Sequence, residues 1–232
     1  MLPTQPSTPK TKLEDYTILL YGSPKIGKST FASQFPKPLF LSTEPGLNAL
    51  SVYEKPIHDW TSFLSVCAVI AEGKHDFKTI VIDTVDNLYK SCADYVLQKA
   101  DVTHESDLDY GKGYALVRTE FSRAIRKLTM LPYGVIFISH TAREEIKTRT
   151  TVYHRNIPTL PKNIREALLA WVDIILFADI TPEGKRVLRT KTDERYLSGD
   201  RTISIFGKPL PDELSLEFSK FSEEFYNRKG GK

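Results

Sequence analysis

The chain has 232 residues, 41% of them hydrophobic, enough to close a continuous core as one large domain or two small ones. Lys and Arg total 32 against 29 Asp and Glu, so a nucleic-acid surface has to be a local patch and not a property of the whole chain. Cys67 and Cys92 lack the C-x-x-C spacing of a zinc site, no apolar run approaches the ~20 residues of a membrane span, and "MLPTQPSTPKTK" has no signal-peptide core, so a soluble intracellular protein is expected.

Residues 1–12, with three prolines, read as a flexible arm, residues 13–220 as one domain and residues 221–232 as a tail. Apolar runs at 17–21, 38–43, 78–83, 134–139 and 172–178 are rich in β-branched and aromatic residues, as in strands covered on both faces. Helical patterns at 28–35, 60–72, 86–100, 114–130 and 162–170 lie between them. This alternation predicts an α/β fold of βαβ units with a mostly parallel sheet. Beyond residue 178, "KRVLRTKT" and "RYLSGDRTISIF" suggest an antiparallel hairpin or an edge extension.

The first apolar run leads straight into Gly22, Ser23, Pro24, Lys25, Ile26, Gly27, Lys28 and Ser29, in the order G-x-x-x-x-G-K-[ST]. Between a strand and a helix, such a loop surrounds the phosphates of a nucleotide with backbone N–H groups and the positive end of a helix dipole. Lys28 would reach the β- and γ-phosphates, Ser29 would ligate Mg²⁺, and Thr30 would touch the α-phosphate. The plain alternative is a Gly-rich turn before a helix.

Asp83, closing "TIVID", suits the second acid that such a metal site requires, or else it is a turn residue after a strand. Asp86 is expected to cap the following helix. Thr84 stands where many P-loop ATPases carry a glutamate and cannot act as a base, so a catalytic carboxylate has to come from another strand. Glu44, ending "PLFLSTE", is the candidate, because parallel strands line one crevice with their carboxyl ends. Its alternative role is to begin the "EPG" turn. His140 follows "GVIFIS" at the same edge, either sensing the γ-phosphate or serving as a capping or core histidine.

These stretches, with "DYGKGYALV" and "VLRTKTDERYLSGDR", resemble the RecA-like P-loop ATPase core, in particular small phage-encoded RecA-like ATPases of single-strand annealing and recombination; the likeness runs from about Asp15 to Ser219. The resemblance implies a DNA-stimulated ATPase that binds ATP between subunits of a ring or filament. It further implies action on single-stranded DNA beside a single-strand-binding protein, in the cytoplasm of a bacterial host. By the same resemblance Glu44 is the catalytic carboxylate and His140 the sensor, where RecA itself has glutamine. Lys191, with Arg189 and Arg195 as competitors, would be a cation donated to a neighbour's phosphates; an exposed strand with solvated charges is the alternative.

The stretch after His140 interleaves Arg143, Lys147, Arg149, Arg155, Lys162 and Arg165 with Tyr153 and His154, the mixture of cations and aromatic faces that sequence-tolerant single-strand binding uses. A plain surface hairpin explains the same composition. Lys112 and Tyr114 are the candidates of a second loop, "THESDLDYGKGY". "TKTD" at 190–193 imitates a guanine-reading motif, but Asp83-Thr84-Val85-Asp86 lacks the glycine a GTPase needs. A nucleotide-gated adaptor or loader remains open, as does a small-molecule kinase, although no acceptor pocket is legible.

Overall fold

The computed structural model describes residues 2–107 and 111–228. In chain order the first half carries β1 (Thr17–Gly22), α1 (Lys28–Ala32), β2 (Pro38–Ser42), β3 (Tyr53–Pro56), α2 (Trp60–Ala71), β4 (Thr79–Asp83), α3 (Val85–Lys99) and α4 (Lys112–Thr129). The second half carries β5 (Gly134–Lys147), β6 (Val152–Pro158), α5 (Lys162–Trp171), β7 (Ile174–Ile180), β8 (Arg186–Arg189), β9 (Gly199–Asp200), α6 (Ile203–Phe206), β10 (Glu213–Ser215) and α7 (Phe218–Asn227).

The sheet runs β10-β8-β7-β1-β5-β4-β2-β3, with β6 paired to β5 and β9 to β7. Its centre is parallel: β1 lies between β5 and β7, and β4 between β5 and β2. The end of the chain adds antiparallel strands, β8 on β7 and β10 on β8, as the late pattern suggested.

Alternation within the buried strands sorts the core into two layers. Leu19, Leu41, Ile80, Ile82 and Phe137 face the layer of α2, α3, α4 and α5, where Trp60, Phe63 and Phe121 pack. Ile18, Leu20, Phe40, Val81 and Ile136 face α1, α6 and α7 through Phe31, Phe206, Phe221 and Phe225. Each strand is therefore apolar on both faces, which is why the sequence shows continuous runs there.

Three boundaries differ from the sequence reading. Residues 221–228 are not a tail: α7 buries Phe221 and Phe225 completely, and Arg228 Nη1 donates to Asp200 Oδ2 at 2.5 Å. The periodicity Phe218, Phe221, Phe225 carried that signal. The helix after the loop ends at Ala32, well short of residue 35, because Gln34 N and Phe35 N turn to carbonyls three residues back and Pro36 follows. Strand β5 continues past Ser139 to Lys147 and folds back as a hairpin with β6. Residues 2–12 are exposed and lie outside any helix or strand.

Phe221→Ala should lower the unfolding free energy by about 3–5 kcal/mol, the cost of emptying a buried aromatic site. Urea unfolding of the full chain reads it, and a change below about 1 kcal/mol would mean that α7 contributes little to the core.

Candidate nucleotide site

The loop after β1 takes its shape from backbone constraints. A Cβ on Gly22 would lie 2.5 Å from Ala178 O of β7, so only glycine lets β1 end this close to its neighbour. Lys25 has φ 62° and Gly27 φ 117°, left-handed positions of the kind from which anion-binding backbone concavities are built. Lys28 is buried, and its Nζ donates to Gly22 O at 3.0 Å and Ser23 O at 2.9 Å. Two of its three protons are so engaged, leaving one for a ligand. Burial lowers its pKa, and the carboxylates of Asp83, Asp86 and Glu44 oppose that shift.

The loop forms one wall of a cleft of about 410 Å³ whose other side carries Glu44, Asp83, Thr84 and His140. Parallel register brings these strand ends together: Gly22 is level with His140, and Asp83 with Ser42, two residues before Glu44. Thr43 fastens the two arms, its N donating to Asp83 O at 2.8 Å and its Oγ1 to Thr84 O at 2.9 Å. Glu44 Oε1 lies 3.3 Å from His140 Nε2, and Glu44 Oε2 accepts from Asn87 Nδ2 at 2.7 Å. Glu44 thus faces the cleft and does more than open a turn.

Ser29 Oγ donates to Asp83 Oδ2 at 2.6 Å, and burial raises the Asp83 pKa. A hydroxyl beside a buried carboxylate is a hard oxygen donor set, which fits Mg²⁺: the hydroxyl lone pairs stay available while its proton is donated to Asp83. Thr84 Oγ1 and His140 Nδ1, on residues lining the same cleft, are buried without a hydrogen-bond partner among the described residues, so the wall has polar capacity to spare.

Asp86 is not the helix cap. Thr84 holds the N-cap position of α3, and Asp86 reaches across to β5, accepting from Ser139 Oγ at 2.6 Å and from His140 N at 2.7 Å. Burial pushes its pKa up to about 6 despite these bonds. Neither this bridge nor Asn87 was visible in the sequence pattern, because both depend on which strand α3 packs against.

The cations proposed to act on a neighbour differ in availability. Arg189 is nearly buried between Asp179 and Glu213 and serves its own fold. Lys191 pairs with Asp212 at 3.3 Å and Arg195 with Asp193 at 3.0 Å, and both side chains are largely exposed. Asp193 also accepts from the N–H groups of Arg195 and Tyr196, so the carboxylate that closes the "TKTD" stretch is already engaged.

The hairpin of β5 and β6 divides the proposed DNA contacts between two faces. Register pairs Arg143 with Asn156, Glu145 with His154 and Lys147 with Val152, all on the solvent side apart from the half-buried Asn156. The alternate positions Glu144, Tyr153 and Arg155 are half-buried: Arg155 Nε donates to Glu194 O at 3.0 Å, and its guanidinium lies 5.4 Å from the Tyr153 ring. Tyr153 and Arg155 therefore do not share a surface with Arg143 and Lys147. Arg149 sits exposed at the tip, Lys162 is exposed at the start of α5, and Arg165 is buried against Glu144 at 2.9 Å. Lys112 and Tyr114 are exposed at the start of α4, while residues 108–110 of the second candidate loop lie outside the described residues.

A glycine-rich loop between strand and helix, facing strand-end acids across a parallel sheet, defines a P-loop NTPase. Residues 14–202 match the AAA domain family AAA_24, and the chain belongs to that family. It is also similar to the "SPbeta prophage-derived uncharacterized protein YorG" of Bacillus subtilis (strain 168), 30% identical over 197 residues. That match covers 79% of this chain and 59% of the relative, so the chain spans about three-fifths of that protein's length. Among the described residues no helix is long and apolar enough to cross a membrane.

With Asp86 raised to about 6 in the fold and near 3.9 when unfolded, the native state binds more protons between about pH 4 and 6. Its contribution to stability is present below pH 4 and is lost as pH rises through 6. Asp86→Asn should remove about 3 kcal/mol of that decline, read as the difference between wild-type and variant urea midpoints at pH 4 and pH 7. Parallel midpoint shifts in the two proteins would show that Asp86 does not titrate there.

Proposed function

We propose that this chain binds ATP at the P-loop, hydrolyses it with Glu44 as general base, and uses the cycle on single-stranded DNA in phage-type recombination, annealing or repair. The observation that carries the ATPase reading is Glu44 on the cleft wall opposite Lys28, with one oxygen 3.3 Å from His140 Nε2. A carboxylate at that edge can take the proton of a water attacking in line. Lys28 binds the β- and γ-phosphoryl oxygens with its free N–H, and the loop amides orient the rest of the triphosphate. Ser29 and Asp83 would hold Mg²⁺, which when bound neutralises charge on those oxygens.

His140 links this chemistry to the hairpin, since its backbone N–H is fixed by Asp86 and the strand continues from it into residues 141–147. On the hairpin's solvent side Arg143, Lys147, Arg149 and His154 are exposed, and this face supports the single-strand reading better than the full set. Lys191 and Arg195, exposed and ion-paired only at the surface, are the cations that a neighbouring subunit could recruit in a homo-oligomer. The likeness to a prophage-derived protein supports a phage setting.

Lys28→Ala should abolish ATP binding in a fluorescent-nucleotide titration. Glu44→Gln should bind within a few-fold of wild type yet lower kcat by about 100-fold or more; normal turnover would remove Glu44 from the role of base. Single-stranded DNA should raise wild-type turnover, and Arg149→Glu should weaken DNA binding and lessen its salt slope by about 1. Turnover indifferent to DNA, together with no DNA binding at low salt, would overturn the nucleic-acid part alone.

A further inference from the structure

The first turn of α3 presents two adjacent side chains to opposite arms of the cleft. Asp86 grips the end of β5 through Ser139 Oγ and His140 N, at 2.6 and 2.7 Å. Asn87 grips Glu44, its Nδ2 donating to Oε2 at 2.7 Å, while Oε1 lies 3.3 Å from His140 Nε2. One oxygen of the carboxylate is therefore held by residue 87 directly, and the other lies beside a histidine whose backbone residue 86 fixes.

The orientation of the Asn87 amide is itself determined. Lys90 Nζ lies 3.4 Å from Asn87 Oδ1, and an ammonium group, which only donates, demands the amide oxygen on its side. The amide NH₂ is then left facing Glu44, where the carboxylate only accepts. Charges on both sides select the same orientation. Glu44 is about one-third exposed, so packing alone does not fix its three side-chain torsions.

We propose that Asn87 is a positioning residue for the water-activating carboxylate: its amide fixes the rotamer of Glu44 and leaves the carboxylate lone pairs directed into the nucleotide cleft. The inference rests on the reading of Glu44 as general base. A carboxylate displaced by about 1 Å loses in-line reach to water, a misplacement that can cost about 100-fold in rate. Because Asn87 does not line the cleft, nucleotide affinity should not depend on it.

The test is steady-state ATP turnover by full-length Asn87→Ala and the isosteric Asn87→Asp, with melting temperatures and nucleotide affinities measured alongside. Asn87→Ala should lower kcat by about 10- to 100-fold with KM and affinity within about twofold. In Asn87→Asp two carboxylates face each other and share a proton, so the acidic limb of kcat should move to higher pH by about one unit or more. Unchanged kcat in Asn87→Ala, or an Asn87→Asp profile that superposes on wild type after scaling, overturns the proposal. So does a fall in kcat matched by loss of nucleotide binding or of the fold in both variants. If Glu44→Gln is inactive while Asn87→Ala is normal, only the positioning role fails. If Glu44→Gln turns over normally, the base assignment fails and the positioning role falls with it.

Discussion

Everything at the candidate site depends on the register of parallel strands. Gly22 of β1 pairs with His140 of β5 and with Ala178 of β7, and Asp83 of β4 pairs with Ile138 and Ser42. Glu44, Asp83 and the Ser139–His140 pair are far apart in sequence and meet only because β2 and β4 end level with the point where β5 leaves the central sheet for its hairpin. A shift of one residue in β5 would exchange the faces of Phe137 and Ile138, exposing one layer's core to the other's partners. The buried alternation that stabilises the sheet is thus the same constraint that aligns the cleft. Fold stability and site geometry are not separable here.

The cleft is also tied to the elements around it. Tyr21, immediately before Gly22, is fully buried, and its hydroxyl donates to Leu197 O at 2.8 Å and accepts from Leu197 N at 2.8 Å. Asn156 O of β6 lies 3.2 Å from the same hydroxyl, and Asn156 N donates to Arg195 O at 2.6 Å. The residue that introduces the phosphate loop therefore touches both the hairpin and the turn that carries Arg195. A displacement of the hairpin base has to stretch these bonds or move Tyr21 with it, and Tyr21 is in line with Gly22. The path is contiguous in packed and hydrogen-bonded atoms from the hairpin base to the residue before Gly22.

What the sequence made legible follows from which interactions are local. The continuous runs "TILLY" and "TIVID" announced buried strands because both of their faces are covered, and the loop announced itself because only glycine fits beside Ala178 or adopts the φ of Gly27. Glu44 could be reached by asking where a missing carboxylate must lie in a parallel sheet. Asn87 could not, since nothing in "TVDNL" says that its amide meets a residue 43 positions away. Edge strand β3, "YEKP", is exposed along its length and lacks the apolar signature of the central strands. The hairpin's basic residues looked like one patch because composition does not record register, and pairing then sent Tyr153 and Arg155 inward and left Arg143 and Lys147 outside. The burial of Arg189 and Arg165 is invisible in the sequence for a related reason: their carboxylate partners come from other elements.

The charge balance of the cleft says what kind of ligand it can tolerate. Glu44, Asp83 and Asp86 converge on a single buried ammonium, Lys28, and each of them acts on its titration. Lys25 also lines the cleft, whereas Asp86, its pKa pushed up to about 6 by burial, stays outside the lining and is engaged by Ser139 and His140. Glu44 and Asp83 face the loop across the cleft, and the Ser29 hydroxyl held on Asp83 offers hard oxygen donors to a cation that accompanies an anion. On this reading the acids are not in conflict with the P-loop. Asn87 and Thr43 hold these acids in place by hydrogen bonds, and the imidazole of His140 lies beside Glu44.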